Sequence, residues 1–335
     1  MSDREKIREN FLKVNNINNS NIELLPADAS FRNYYRIKEG KNSFILMDAP
    51  PDKEPNTGIF VKVSEFLNDN GFSAPKIIKA DLKKGFLLLE DLGNNSFNKI
   101  LEEDNSKGEL LYSYAIDVLL KLHSISVPDA ILPYYTDDLI LKELNRFIEW
   151  YIPVLNGEVI SKKLQEEYEV VWKHLLQYAR QIPETTVLRD YHVDNLMWLE
   201  DRENIRKVGL LDFQDAIVGS PVYDIVSLLQ DARREVSEEI TQAMITKYLT
   251  AKPDILRKDF LASYSILGAQ RNLRIIGNFA RKSVRDKNSN YLKFLPRVWS
   301  NIEKNLKHPL LFPLKAWLDK VISPQVRGNR EKASF

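Results

Sequence analysis

The chain contains no cysteine. Disulfides, thiolate nucleophiles and Cys-ligated zinc or iron–sulfur centres are therefore excluded. Histidine is almost as scarce, with 4 in 335 residues, so a His-rich metal site is not expected. No apolar run reaches the roughly 18–20 residues that a membrane helix needs. The best stretch, IVSLLQ at 225–230, is soon broken by charge. The first residues, MSDREKIREN, are charged from position 3 onward and lack the apolar segment of a secretory leader. An excess of one charge is also missing. Lys and Arg number 48 and Asp and Glu 47, for a net charge of +1, which gives no electrostatic footprint for nucleic acid or an acidic membrane. The expectation is a cytoplasmic protein with neither nucleic acid nor membrane as partner. What is present is an ordinary globular balance, 44% hydrophobic and 28% charged. That is enough for a core, and the length suits two modest domains or one bilobal one.

Short strand-like runs at 34–37 and 43–48 flank a polar turn containing Gly40, which reads as a hairpin. Three prolines within 49–56 forbid regular structure there. A helical stripe follows, with Ile59, Val63, Phe66 and Leu67 on one face and Gly71 beyond its end. Two further strands are expected at 76–80 and 85–89. From residue 111 onward the apolar spacing is mostly helical, at 111–122, 140–151, 163–178, 222–232, 240–249 and 260–279. One β-like island interrupts it at 186–189, 196–199 and 208–211. A small mixed lobe, 1–92, followed by a large helical lobe, 93–335, is an α+β arrangement. The tail, 326–335, has little apolar content and reads as a frayed end.

The island holds the most informative residues. The string LRDYHVDN at 188–195 leads into the strand LMWL, a polar turn, the strand VGLL and then DFQD at 212–215. If the two strands pair as an antiparallel hairpin, the entry of the first and the exit of the second meet at one end. Asn195 stands at that entry and Asp212 at that exit, so their oxygens can converge on one hard cation such as Mg²⁺. Asp190 lies five residues before Asn195. An Asp base with an Asn and an Asp ligand is the set that phosphoryl transfer to a hydroxyl requires. Asp and Asn are also common beside short strands for turn geometry alone.

The loop resembles the catalytic loop of aminoglycoside phosphotransferase-like small-molecule kinases. ADASFRNYYRI, FILMDAPPD, GFLLLEDLG, LRDYHVDNLM, LLDFQDAIVGSPVYDIVSLLQDAR and GAQRNLRIIGNFAR are more narrowly similar to bacterial cell-wall amino-sugar kinases. The likeness runs from about Asp28 to Trp299. It implies a protein-kinase-like bilobal fold, with a small mixed β-sheet N-lobe for nucleotide and a larger, mainly helical C-lobe. It also implies ATP and Mg²⁺ as cofactors. The activity implied is anomeric phosphorylation of N-acetylmuramate and N-acetylglucosamine to the α-1-phosphate in peptidoglycan recycling. A phosphotransferase for another alcohol (an aminoglycoside, choline or a different sugar) and a nucleotide-binding pseudokinase are the alternatives. The oligomeric state stays open.

By position, the resemblance makes Asp190 the base and Asn195 and Asp212 the metal ligands. Asp224 becomes a brace beneath the loop, or alternatively a first-turn acid after a Ser220 cap. Glu90 to Leu92 becomes the hinge whose backbone holds adenine, with the Glu90 and Asp91 side chains solvated. His192 becomes a loop-orienting residue. Trp150 either stacks on the sugar or sits in the core with Tyr151. Arg271, with Arg274 three residues on, borders the acceptor pocket, where a cation faces the lactyl carboxylate, or else belongs to a solvated basic face. Two departures stand out. Leu188 occupies the place of a loop-bracing His. Met47 occupies the place of the strand Lys that holds phosphates, and the segment around Ser30 has no Gly. Ser30, with Arg32 or Arg36 as the cation, is expected to substitute.

Overall fold

The structure is a computed structural model, and it describes residues 3–17, 21–26, 31–54, 57–127 and 131–329. Ser30 and part of the proline-rich loop, residues 55 and 56, lie outside them, as does the tail beyond residue 329. The strands are β1 (Ile22–Leu24), β2 (Asn33–Glu39), β3 (Asn42–Asp48), β4 (Ile77–Asp81), β5 (Phe86–Glu90), β6 (Thr185–Val187), β7 (Leu196–Trp198), β8 (Val208–Leu210) and β9 (Ile217–Gly219). The α-helices are α1 (Asp3–Val14), α2 (Thr57–Asp69), α3 (Phe97–Glu103), α4 (Gly108–Leu122), α5 (Asp137–Arg146), α6 (Ile152–Asn156), α7 (Lys162–Ala179), α8 (Val222–Leu229), α9 (Glu238–Ala251), α10 (Arg257–Asp286), α11 (Leu295–Asn305) and α12 (Phe312–Val321). No described helix is long and apolar enough to cross a membrane.

The chain divides into two compact units. The first takes residues 1–107, 128–131 and 193–215; the second takes 108–127, 132–192 and 216–335. The fold is α+β, as the apolar periodicities require.

In the first unit five antiparallel strands run in the order β1-β2-β3-β5-β4. Strand alternation separates their side chains into two sets. Ile37, Leu46, Phe86 and Leu88 face α1 and form a core with its Phe11 and Leu12. Met47 and its cross-strand partner Tyr34 lie on the other face. The amphipathic α1, which strand-based reading leaves unassigned, is tied down by Arg4. Its Nε donates to Asp48 Oδ1 at 2.8 Å, its Nη1 donates to the Lys84 carbonyl at 2.6 Å, and its guanidinium lies over the Phe86 ring. The β7–β8 hairpin also belongs to this unit. Leu210 N–H donates to the Ser73 carbonyl at 2.8 Å, and Phe213 stacks on Phe60 of α2 with ring centroids 4.8 Å apart.

In the second unit the 30-residue α10 is the central helix, buried along most of its length. A side chain at Gly277 would come within 2.5 Å of the backbone of Arg146 and Phe147, so only glycine allows this approach. At that contact the expected single helix over 140–151 changes: α5 ends at Arg146, and Phe147–Tyr151 winds as a π-helix. Tyr151 is a core residue that accepts a hydrogen bond from Trp299 Nε1 at 2.9 Å, whereas Trp150 is only half-buried. The tail is ordered further than its composition suggests. Arg327 donates to Glu303 at 2.8 Å and Asp319 at 2.7 Å, so residues 326–329 are not frayed.

Gly85 and Gly71 both have positive φ, +70° and +83°. A Cβ at Gly71 meets nothing within 4 Å, whereas one at Gly85 would lie 1.9 Å from the Ala49 carbonyl oxygen. Gly71→Ala should therefore destabilise by about 1 kcal/mol, the conformational term alone. Gly85→Ala should destabilise by more than about 2 kcal/mol, because the backbone carbonyl must also move. Equal losses in chemical denaturation would refute the steric distinction.

Candidate active site

The loop that carries Asp190 follows β6. Its backbone is held by one carboxylate. Asp224, fully buried in the first turn of α8, accepts the N–H of Leu188 at 2.7 Å and of Arg189 at 2.8 Å. Ser227 adds a hydrogen bond to the Arg189 carbonyl at 3.0 Å. Arg189 has φ +70°, a left-handed conformation that costs a non-glycine residue about 1–3 kcal/mol and persists only where neighbours over-determine it. The α8 N-cap is Pro221 rather than Ser220; Asp224 is an acid of the first turn, and its carboxylate also holds the loop backbone. The bracing that a His at 188 would supply is met in this way, and Leu188 is buried instead.

A second buried carboxylate, Glu143 of α5, gathers the charges around the loop. It accepts hydrogen bonds from Tyr135 Oη and Arg189 Nη2, each at 2.5 Å, and lies 3.6 Å from Arg274 Nη1. Arg274 Nη2 is in turn 4.0 Å from Asp190 Oδ1. Glu143 is absent from the sequence expectations. The available signal is an acid three residues after Ile140, on the apolar face of its helix. Asp190 keeps about a third of its side chain exposed, at 31%. Burial raises its pKa, but Arg274 and the other nearby cations outweigh this, and the net shift is downward. The group is an ionised carboxylate at neutral pH. His192 is buried, with Nε2 3.4 Å from Arg233 Nη1. Burial lowers its pKa, which leaves a neutral ring suited to orientation rather than proton transfer at neutral pH.

In the first unit, β7 pairs with β8 in the register Leu196↔Leu210 and Trp198↔Val208. The next pair outward is closed by Leu211 N–H donating to the Asn195 carbonyl at 2.9 Å. Asp212 follows directly, with φ +56° and its Oδ1 accepting from Gln214 Nε2 at 2.8 Å. Asn195 and Asp212 are thus brought to the same end of the hairpin. Their donors are hard oxygens, which fit Mg²⁺ and not a thiolate- or imidazole-preferring metal.

The two arginines expected near the phosphates have different surroundings. Arg36 is committed elsewhere. It grips Asp91 through Nε to Oδ2 at 2.7 Å and Nη2 to Oδ1 at 2.9 Å, and it donates to the Gly93 carbonyl at 3.0 Å and to Asn94 Oδ1. Burial disfavours the Asp91 carboxylate, but the bonds from Arg36, Ser43 and Gly93 prevail and its pKa falls. Arg32 pairs with Glu54 at 3.0 Å and hydrogen-bonds to Tyr34, whose phenol feels the charge of Asp212. The Glu90 side chain is not simply solvated either, because Arg202 from the β7–β8 turn donates to it. Leu92 is buried, its Cδ1 2.9 Å from where a Cβ at Gly209 would lie. Arg271 is buried, not on a solvated face, and Trp150 is half-buried on the π-helical turn.

Asp224 has a further consequence. Burial pushes its carboxyl up to about 7 from an ordinary 3.8, against the two N–H bonds that favour ionisation. The folded-state pKa exceeds the unfolded one, so the folded protein binds more protons between these values. Its stability therefore declines as pH rises from about 4 to 7. Asp224→Asn should flatten that part of the stability–pH curve in urea denaturation at pH 5 and pH 8. An unchanged slope would show that Asp224 stays ionised throughout.

The profile of the Phosphotransferase enzyme family (APH) matches residues 21–260. A Caulobacter vibrioides protein named N-acetylmuramate/N-acetylglucosamine kinase is 36% identical, with 97% of this chain and 99% of that protein covered. A Pseudomonas aeruginosa protein of the same name is 34% identical, over 84% and 83% of the two chains. Among solved structures, aminoglycoside phosphotransferase APH(2'')-Ib with ADP bound superposes with a TM-score of 0.61 at 15% identity, covering 98% of this chain and 99% of that one. Choline kinase LicA from Streptococcus pneumoniae gives 0.63 at 14%, covering 90% and 100%. The fold is thus the protein-kinase-like one. The chain belongs to the phosphotransferase enzyme family, as a kinase that transfers phosphate to a hydroxyl group.

Proposed function

We propose that the chain is an ATP- and Mg²⁺-dependent anomeric kinase of N-acetylmuramate and N-acetylglucosamine, forming the α-1-phosphate in peptidoglycan recycling. The observation that supports the phosphoryl-transfer part is the hydrogen bond from Leu211 to Asn195, which leaves Asn195 and Asp212 at the same end of the hairpin. The names and coverage of the relatives support the acceptor. A screen of ATP–Mg²⁺ against N-acetylmuramate, N-acetylglucosamine, glucose, choline and kanamycin tests it. Phosphorylation of choline or kanamycin in preference to the amino sugars would overturn the acceptor.

In this reading Asn195 and Asp212 hold Mg²⁺, which when bound neutralises phosphate charge. Backbone groups of Glu90 to Leu92 hold the adenine, with Arg36 fixing the residues that follow. Ser30 and Arg32 serve the phosphates. Asp190 accepts a hydrogen bond from the acceptor hydroxyl, orients its oxygen and receives its proton. A carboxylate of lowered pKa is a weak base, so its main contribution is orientation, and proton uptake comes late. Asp224 and Glu143 hold the loop and its charges in place for this step. Trp150 and Arg271 belong to the acceptor side, and His192 orients the loop.

Asp190→Asn should abolish turnover and leave ATP affinity within a few-fold, whereas Asp212→Ala should lose Mg²⁺-dependent nucleotide binding. Asp190→Asn turnover within tenfold of wild type, or unchanged Mg²⁺–ATP affinity of Asp212→Ala by calorimetry, would remove the respective role.

The missing strand lysine gives a second test. Tyr34 is the register partner of Met47, and Arg32 is bonded to Tyr34. Arg32→Ala should lower kcat/KM for ATP by about 1–3 kcal/mol in transition-state terms. Arg36→Ala should instead lower the melting temperature, because it leaves Asp91 buried without its guanidinium. If Arg32→Ala leaves kcat/KM for ATP intact, the phosphates do not depend on this cation.

A further inference from the structure

The phenol of Tyr34 stands where the first unit lacks a cation. Strand register pairs Tyr34 of β2 with Met47 of β3, which occupies the place of the phosphate-holding strand lysine. Antiparallel partners carry their side chains next to each other on one face of the sheet. That face is turned away from α1, which packs on Ile37, Leu46, Phe86 and Leu88. It also carries Arg36, whose guanidinium is fixed on Asp91 and Gly93. Tyr34 is half-buried, and its hydroxyl lies within electrostatic reach of Asp212, the candidate metal ligand.

Arg32 donates a hydrogen bond to the Tyr34 oxygen and is itself paired with Glu54 at 3.0 Å. A guanidinium has donors and no acceptor. The phenol oxygen is therefore the acceptor in this bond, and its own hydrogen is left to make a second one. A cation bonded to the oxygen draws electron density from the O–H and strengthens it as a donor. Burial, with help from the Asp212 and Glu54 carboxylates, outweighs the guanidinium and raises the phenol pKa, so the proton stays in place at neutral pH. Glu54 offsets the charge of Arg32, so the pair brings no net charge to this face. What stands beside Asp212 is a neutral, polarised donor. Mg²⁺ shares its shell between carboxylates and substrate phosphates, so a donor near such a carboxylate is placed to meet phosphate oxygen.

We infer that Tyr34 donates its hydroxyl hydrogen to the phosphate chain of bound nucleotide, in place of a strand lysine, and that Arg32 acts through this phenol. The inference rests on the kinase reading above. The contact is directional and uncharged, which leaves neutralisation of the phosphates to the metal.

Calorimetry of ADP–Mg²⁺ and of adenosine tests it. Tyr34→Phe keeps the ring and removes the donor. It should weaken ADP–Mg²⁺ tenfold or more and leave adenosine, which has no phosphate, within twofold. In turnover, KM for ATP should rise in parallel while KM for the sugar stays within twofold. A second background, Arg32→Met with Glu54→Gln, removes the ion pair as a unit and strands neither charge. There Tyr34→Phe should weaken ADP–Mg²⁺ less than threefold, because the donor is no longer polarised or oriented. Equal losses in both backgrounds would overturn the role given to Arg32. Equal losses for ADP and adenosine would make Tyr34 structural and overturn the inference, and the adenosine measurement reads this even where the variant melts low. If wild type binds no ADP–Mg²⁺, the kinase reading fails and takes this inference with it. Wild-type ADP binding that survives Tyr34→Phe within twofold overturns this inference alone.

Discussion

Two amide hydrogens donated to the Asp224 carboxylate fix the conformation of the loop that presents Asp190. Both donors, Leu188 and Arg189, precede the reactive residue, and Arg189 is held in a left-handed conformation that it would not adopt unaided. Each hydrogen meets a different oxygen of the carboxylate, and a side-chain amide would set its NH₂ against one of the two donors. The surrounding charges follow from this arrangement. With Arg189 turned in this way, its guanidinium meets Glu143, and Glu143 in turn holds Arg274 close to Asp190. The buried ions therefore form a chain in which each charge offsets the next, and truncating one member would strand its neighbours.

Much of the fold is legible because period-2 and period-3.6 patterns are local. The hairpin β2–β3, the helix α2 and the pairing of β7 with β8 all come from spacing within a few residues. What spacing does not reveal is long-range or polar. The helix α1 has mean character too polar to announce itself, and it is secured by Arg4 reaching Asp48, 44 residues away. The short strand β9 is defined by β6, about 30 residues earlier. In the candidate site, Asp190, Asn195 and Asp212 are legible from one string. Glu143 is not, because nothing local marks an acid as buried.

The arginines show the same limit in another form. Strand alternation puts Arg36 and Tyr34 on one face, but it cannot say what each will bind. Asp91 lies 55 residues from Arg36 and captures it with two parallel hydrogen bonds, the geometry that guanidinium and carboxylate favour most. Arg32, held by Glu54 and Tyr34, is left with a different neighbourhood.

The first unit is assembled from three separate stretches of chain. Its five-stranded sheet is complete once residue 90 has been made, but the hairpin bearing Asn195 and Asp212 is not translated until some hundred residues later. At typical synthesis rates of about 5–20 residues per second, the strands of the sheet are made several seconds before the hairpin. During that interval the Ser73 carbonyl and the exposed side of Phe60 have no hairpin to receive. The hairpin must then close a long loop to reach them, an entropic step that is met late in folding. A nascent chain stalled before residue 193 would therefore hold every strand of the sheet but neither candidate metal ligand.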